Sequence, residues 1–479
     1  MNYAMIAYIT GWVLNIEAAF MVLPCFVALI YGEKDISAFL ITILLCLIPG
    51  ILLVRKKPAK RIFYVREGYV TVALCWIVMS IMGGLPFLFS QAIVNPIDAL
   101  FETVSGFTTT GASILKDVEA LPKCVLFWRS FTHWIGGMGV LVFLLSVLPA
   151  VGGYHMNLMK AESPGPAVSR LVPKVQSTAK ILYGIYIAMT ILQILLLLAG
   201  RMPLFDAVTT TFGTAGTGGF GIKNDSMAGY STYIQVVVTI FMILFGINFN
   251  VYFLILARKF SQAWKAEEVR WYLGIIAAAI LVITWNIHSL YGNAAAALQQ
   301  ASFQVASIIT TTGFATADFN MWPQASRTIL VMLMFVGACA GSTGGGIKVS
   351  RFVILLKTVN KELHQFLHPK SVKKIKMDDK IVEHEVVRST NVFMVTYTMI
   401  FAFSILFLAM DEHDLITNFT AVAATFNNIG PGLELVGPSS NFSVFSNPAK
   451  LVLIFDMLAG RLEIFPLLLL FLKDTWKKF

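Results

Sequence analysis

The chain has 479 residues, of which 57% are apolar and only 13% charged, and its mean hydropathy is +0.75. Soluble domains run at about 45–50% apolar and about 25% charged, so this chain cannot coat a water-facing surface of its own size. A soluble enzyme, a disordered protein and a secreted disulfide scaffold are excluded, which leaves an all-α polytopic membrane protein. The formal charge of +10 is read from its placement along the chain, and it gives no reason to invoke nucleic acid. Cys25, Cys46, Cys75, Cys124 and Cys339 are scattered through apolar runs with no CxxC or Cys/His cluster, so neither a disulfide framework nor a zinc site is indicated. The N-terminus carries Glu17 within its first apolar run and lacks a basic leader, and so reads as a first membrane helix.

A crossing needs about 20 apolar residues. In chain order such runs fall near 4–31, 36–54, 68–90, 124–151, 179–200, 231–257, 271–290, 325–358, 389–410 and 449–472, predicting ten spans with the eighth interrupted in its middle. Most of the 36 Lys and Arg lie in the connections 55–67, 152–180, 258–270 and 347–388 and in the tail 473–479. The positive-inside bias makes these cytoplasmic and puts both termini inside.

The alternate connections repeat one sequence of events: a span, a short apolar stretch, a glycine turn, a second span. The turns read FTTTGAS (107–113), FGTAGTGG (212–219), ITTTGFA (309–315) and FNNIGPG (426–432), and aligning Gly111, Gly216, Gly313 and Gly430 puts Phe107, Phe212, Ile309 and Phe426 four positions earlier. Such self-similarity marks one supersecondary unit copied four times. The divisions that follow are an N-terminal two-span unit at 1–67 and repeats at 68–178, 179–269, 270–388 and 389–479. The stretches before the turns are too short to cross and start at helix signals such as Asn95-Pro96, Pro203 and Asp414, which predicts four re-entrant helices. Irregular backbone at membrane depth must be buried in protein or line a watery cavity, and one shared cavity is the economical arrangement.

The residue types at the turns limit the chemistry. Thr108-Thr109-Thr110-Gly111, Gly213-Thr214-Ala215-Gly216, Thr310-Thr311-Thr312-Gly313 and Asn427-Asn428-Ile429-Gly430 hold no ionised side chain. They offer backbone carbonyls, rings of which replace the hydration shell of a monovalent cation, whereas a divalent ion calls for carboxylates. Re-entrant helices that end at the turns also aim their partly negative C-termini at a cation.

These fourfold units resemble the Trk/Ktr/HKT superfamily of potassium transporters, and the extra N-terminal spans resemble its bacterial Trk-type membrane subunit. WIGGMGVLVF (134–143), GACAGSTGGGIKVSR (337–351) and AGRLEIF (459–465) support the resemblance, which covers the whole chain. It implies a pseudo-fourfold pore in each protomer, K+ as the transported ion bound at the sixteen turn residues, a bacterial inner-membrane location, a homodimer, and a cytoplasmic ring of nucleotide-binding regulatory subunits. No organic cofactor is implied. The unlike second and fourth turns, GTAG and NNIG, predict uneven coordination and a weaker preference for K+ over Na+ than in a fourfold-symmetric channel.

The eighth span breaks at 337–346, where Gly337, Gly341, Gly344, Gly345 and Gly346 surround Ser342 and Thr343. Each glycine costs a helix about 1 kcal/mol relative to alanine, so the segment reads as a non-helical flap, and the resemblance makes it the gate. Its GSTGGGIK string departs from a P-loop in spacing and follows no strand. Arg461 lies in the last apolar run, where a charge is a functional candidate by default. The resemblance places it in the pore as a barrier to cations; the other reading is an ion pair with Asp456 or Glu434. Asp98, Glu102, Asp206 and Asp318 flank the turns as possible cation attractors, and Lys370, Lys373, Lys374 and Lys376 form a basic loop able to meet lipid headgroups or an acidic partner. His364 and His368 lack the glutamate of a zinc-protease motif.

Uptake of K+ driven by membrane potential is the function this reading predicts, with no chemistry on a substrate. A Na+-permeable or K+/Na+-coupled relative differs only in its ion. A secondary transporter of an organic solute calls for an inverted two-part repeat, and an intramembrane enzyme for clustered His, Asp or Glu, which the spans lack.

Overall fold

The computed structural model describes residues 1–58, 64–139 and 175–477. At the N-terminus α1 (Tyr3–Phe20) and α2 (Val22–Tyr31) together form one apolar span, and α3 (Ile36–Arg55) returns beside them. Packing of α1 on α3 is close: a Cβ added to Gly11 would lie 3.0 Å from the Gly50 carbonyl oxygen. Small residues permit such an approach where lipid offers no hydrophobic drive.

Four units of like design follow. The first is α4 (Val65–Phe89), α5 (Pro96–Phe107) and α6 (Lys123–Met138). The second is α7 (Val175–Ala199), α8 (Leu204–Ala215) and α9 (Thr232–Phe245) with α10 (Phe249–Leu256). The third is α11 (Glu267–Tyr291), α12 (Ala294–Ile309) and α13 (Gln324–Val336), followed beyond a loop by α14 (Val349–Leu367). The fourth is α15 (His384–Leu408), α16 (Leu415–Phe426) and α17 (Asn447–Arg461).

The middle helices have 12, 12, 16 and 12 residues; at 1.5 Å per residue twelve give about 18 Å, well short of the roughly 30 Å hydrocarbon core. Local chemistry starts them. Asn95 accepts from the Ile97 N–H ahead of Pro96 at the first position, Asn293 accepts from Ala295, and Asp414 accepts from Thr417, satisfying orphan donors of the first turn.

Each middle helix packs on its own unit and on the last helix of the unit before it: α8 on α6, α12 on α9, α16 on α13. Contact of α5 with α17 closes the circle. Hence the middle helices are enclosed by protein, and Phe101, Phe107, Phe303, Ile308 and Phe426 are all at most 1% exposed.

Six helical stretches are long and apolar enough to cross a membrane: Tyr3–Tyr31, Ile36–Arg55, Val65–Phe89, Ala179–Ala199, Glu267–Tyr291 and His384–Asp411. The other four expected crossings are the last helices of the units, and among the described residues none is a straight span. They have 16, 14, 13 and 15 residues. The expected run 231–257 bends by 91° between α9 and α10, 325–358 is split into α13 and α14, and 449–472 leaves helix after Arg461. For 124–151, residues 140–151 lie outside the described residues. The interruption expected in the eighth span alone thus recurs, with glycine at Gly139, Gly246 and Gly337 just past the helix ends.

Candidate functional site: a ring of four helix-end turns

The middle helices all end in the same hydrogen-bonded cap. Beyond α5, Thr109 N–H bonds the Gly106 carbonyl and Thr110 N–H bonds that of Ser105. The corresponding pairs are Thr217 to Thr214 and Gly218 to Gly213, Thr311 to Ile308 and Thr312 to Ser307, Asn428 to Thr425 and Ile429 to Ala424. This is the Schellman arrangement, which requires a left-handed residue directly after the cap. That residue is glycine in none of the four: Thr109, Thr217, Thr311 and Asn428 hold φ of 56°, 54°, 60° and 56°. Two positions further on stand Gly111, Gly219, Gly313 and Gly430, with φ of 78°, 74°, 84° and 101°.

The second turn therefore lies three residues later than the sequence alignment puts it. Gly213, Thr214 and Ala215 belong to α8, and Gly216 is its C-cap, equivalent to Thr108 rather than Gly111. The structural counterpart of Gly111 is Gly219, and the second turn is Gly216-Thr217-Gly218-Gly219. Alignment on Phe212 misled because the residue four before Gly219 is the small Ala215. Phe212 is instead one helical turn back, packed among Phe127, Phe131 and Trp134.

The glycines make the turns fit one another. A Cβ on Gly111 would overlap the carbonyl oxygen of Gly218, one on Gly219 that of Thr312, and one on Gly313 that of Ile429; one on Gly430 would lie 2.8 Å from that of Thr110. Each glycine thus abuts the carbonyl just before the next unit's glycine, and the fourth returns to the first. At this end all four glycines line one open cavity.

Side-chain polar groups are spent away from this contact. Thr108 Oγ1 donates to Val104 O at 2.6 Å and lies 2.8 Å from Thr110 Oγ1, which accepts from Asn428 Nδ2 at 2.9 Å. Thr310 Oγ1 donates to Ala306 O and meets Thr312 Oγ1 at 2.7 Å. Thr109 and Thr217 donate to the carbonyls before them, and Asn427 Nδ2 donates to Ala423 O.

At the helix end of the turns lies the loop between α13 and α14. Gly345 N–H donates to Thr311 Oγ1 at 2.6 Å, and Gly346 N–H to the Asn427 carbonyl at 3.0 Å. Gly337, Gly341 and Gly346 have positive φ; Ser342 and Thr343 are buried, and a Cβ on Gly344 would crowd the Thr310 carbonyl. Arg461 reaches the same loop: its guanidinium donates to Thr343 O at 3.0 Å, to Gly137 O at 2.9 Å and to Gly136 O. Of its expected partners, Glu434 pairs with Arg327 and Asp456 accepts from Ser404.

Several residues here escape a sequence reading. Lys348, counted there as cytoplasmic charge, is 1% exposed and donates to the Gly344 carbonyl. Glu268 binds both ends of the loop, accepting from Ala340 N–H at 2.6 Å and Ser350 N–H at 3.1 Å. Arg351 pairs with Glu463. The flanking acids are occupied: Asp98 pairs with Lys450, Glu102 with Arg129, Asp206 accepts from Tyr230, and Asp318 accepts from Asn320 N–H and Ser439. None of the four lines the cavity. Only the run of glycines and the lone intramembrane arginine flagged this region in the sequence.

Comparison with known proteins agrees with this architecture. Residues 35–478 match the TrkH family, described as cation transport proteins. The chain is 37% identical over 486 residues, all of both chains, to the Trk system potassium uptake protein TrkH of Salmonella typhimurium. It is 34% identical, over 98% of each chain, to the Trk system potassium uptake protein TrkG of Escherichia coli. The crystal structure of the potassium transporter TrkH from Vibrio parahaemolyticus superposes with a TM-score of 0.90 over all of both chains at 33% identity. Full-length identity and a shared fold place this chain in the TrkH family of cation transport proteins.

Proposed function

We propose that the protein takes up K+ through the ring of turns. The observation that carries this reading is the closed circuit in which Gly111, Gly219, Gly313 and Gly430 each abut a neighbouring turn's carbonyl. With the hydroxyls of Thr108, Thr109, Thr217 and Thr310 and the Asn427 amide turned to other partners, backbone carbonyls are the main groups left to replace an ion's water. Four helix C-termini converge there, each carrying roughly half a negative charge, and no carboxylate is set in the ring for a divalent ion. The names of the relatives supply the ion.

In this reading loop 337–348 is the gate and Arg461 its latch, joining Thr343 to the end of α6. Membrane potential drives the ion, worth about 2.3 kcal/mol per charge per 100 mV. The protein sits in the bacterial inner membrane with both termini cytoplasmic, works as a homodimer, and is controlled by a cytoplasmic ring of nucleotide-binding subunits. K+ is cargo, and no organic cofactor takes part.

Cation flux into liposomes holding the purified protein, with K+, Rb+ or Na+ as sole permeant ion, tests this reading: K+ and Rb+ flux is expected to exceed Na+ flux. Gly111→Ser should lower the K+/Na+ permeability ratio, because φ there is 78° and an added Cβ collides with the Gly218 carbonyl. A wild-type ratio in that variant would remove Gly111 from the filter.

A further inference from the structure

The second turn differs from the others at one position. The residue before the last glycine is Thr110 in the first unit, Thr312 in the third and Ile429 in the fourth, but Gly218 in the second. Thr110 and Thr312 are each held by a neighbouring threonine hydroxyl. Gly218 has no side chain to hold.

Its place is taken by an imidazole from another unit. A Cβ added to Gly218 would overlap Nδ1 of His133 on α6, and one added to Gly216 would overlap the His133 carbonyl oxygen. The ring of His133 is fully buried, and among the described residues neither of its nitrogens has a hydrogen-bond partner. It packs on Phe220, with ring centroids 4.2 Å apart. The Arg129 guanidinium, one helical turn earlier on α6, covers Phe220 at 3.6 Å and donates to the Gly221 carbonyl at 2.8 Å. The contact of the ring with the second turn is steric: it fills the volume that a side chain on Gly218 would occupy.

We infer that His133 is a specificity-determining positioning residue, standing in for the side chain that the second turn lacks. Resting on the filter reading above, the inference assigns the ring a steric task. It fills the space behind Gly218, so that the Gly218 carbonyl stays at the distance K+ requires and does not retreat or close toward Na+. Gly218 and His133 are then a matched pair, and changing either alone disturbs the ring.

K+/Na+ permeability ratios from reversal potentials of the full-length protein in liposomes test this pairing. His133→Ala should reduce the ratio by about tenfold, equivalent to about 1.4 kcal/mol of differential binding, while monodispersity and thermal midpoint report folding. Gly218→Ala should also reduce it, through overlap with the ring. The double variant His133→Ala/Gly218→Ala should recover much of the loss, since the new methyl enters the vacated space. His133→Phe, a ring without nitrogens, should stay nearer wild type than His133→Ala. A wild-type ratio in folded His133→Ala, or a double variant no better than Gly218→Ala alone, would overturn the inference. If His133→Ala does not fold, the double variant against Gly218→Ala decides. Gly111→Ser, measured alongside, separates the two ideas: a changed ratio there with His133 variants unaltered rejects only the role of His133, and unaltered ratios throughout reject the filter.

Discussion

Thr109, Thr217 and Thr311 hold φ near 55–60°, where a β-branched side chain crowds the backbone and a residue costs about 1–3 kcal/mol. Glycine would occupy these positions without that penalty, but a glycine turn has many conformations and a threonine forced into one has few. The cost therefore reads as stiffness obtained in the turns. Thr217→Gly is expected to keep or raise the thermal midpoint, by about 1 kcal/mol of relieved strain, while lowering the K+/Na+ permeability ratio. A variant as selective as wild type would show that the surrounding packing alone fixes the turn. Residue identity made three of the four turns legible in sequence, because TTTG and NNIG each contain one glycine. The second contains Gly213, Gly216, Gly218 and Gly219 within seven residues, and local pattern does not choose among them. Only the neighbouring turns do, through the overlap that a Cβ on Gly219 would make with Thr312.

At the scale of elements, the short middle helices are legible because length and capping are local: Asn95-Pro96 and Asp414 begin helices where their chemistry says they should. Of the breaks in the last helices, only the one at 337–346 is legible in this way. Residues 231–257 are apolar enough to pass for a span, yet α9 and α10 diverge by 91°, since Gly246 N–H completes α9 while Phe249 N–H is taken by the Gly341 carbonyl. Loop 337–348 is thus stitched to the second unit's break, to Glu268 at both its ends, and to α6 through Arg461. A planar guanidinium can serve several carbonyls at once, whereas lysine presents a compact point charge. Arg461→Ala should therefore release Thr343 and raise flux at fixed driving force, and Arg461→Lys should fall between it and wild type. Flux in folded Arg461→Ala equal to wild type would leave the arginine a packing role only.

The whole molecule depends on contacts between units, and a buried ion pair of the first unit supports one of them. Arg129 and Glu102 are 3% and 0% exposed and meet at 2.6 Å. Glu102 also takes Ser113 Oγ and Ile114 N–H from the stretch after the first turn, while Arg129 reaches Gly221 after the second. One ion pair hence ties two neighbouring turns to α5 and α6. Breaking a buried pair by removing one partner costs about 3–5 kcal/mol, whereas replacing both by apolar groups of similar volume is often neutral. Glu102→Leu should accordingly lower the thermal midpoint sharply, and Glu102→Leu/Arg129→Met should regain much of that stability. Selectivity should not follow. The double variant still lacks the guanidinium over Phe220 and the bond to Gly221, so the second turn loses its anchor and the K+/Na+ permeability ratio stays low. Recovery of both properties together would mean that the pair supports only the fold; recovery of stability alone would separate the strength of the ring from its register.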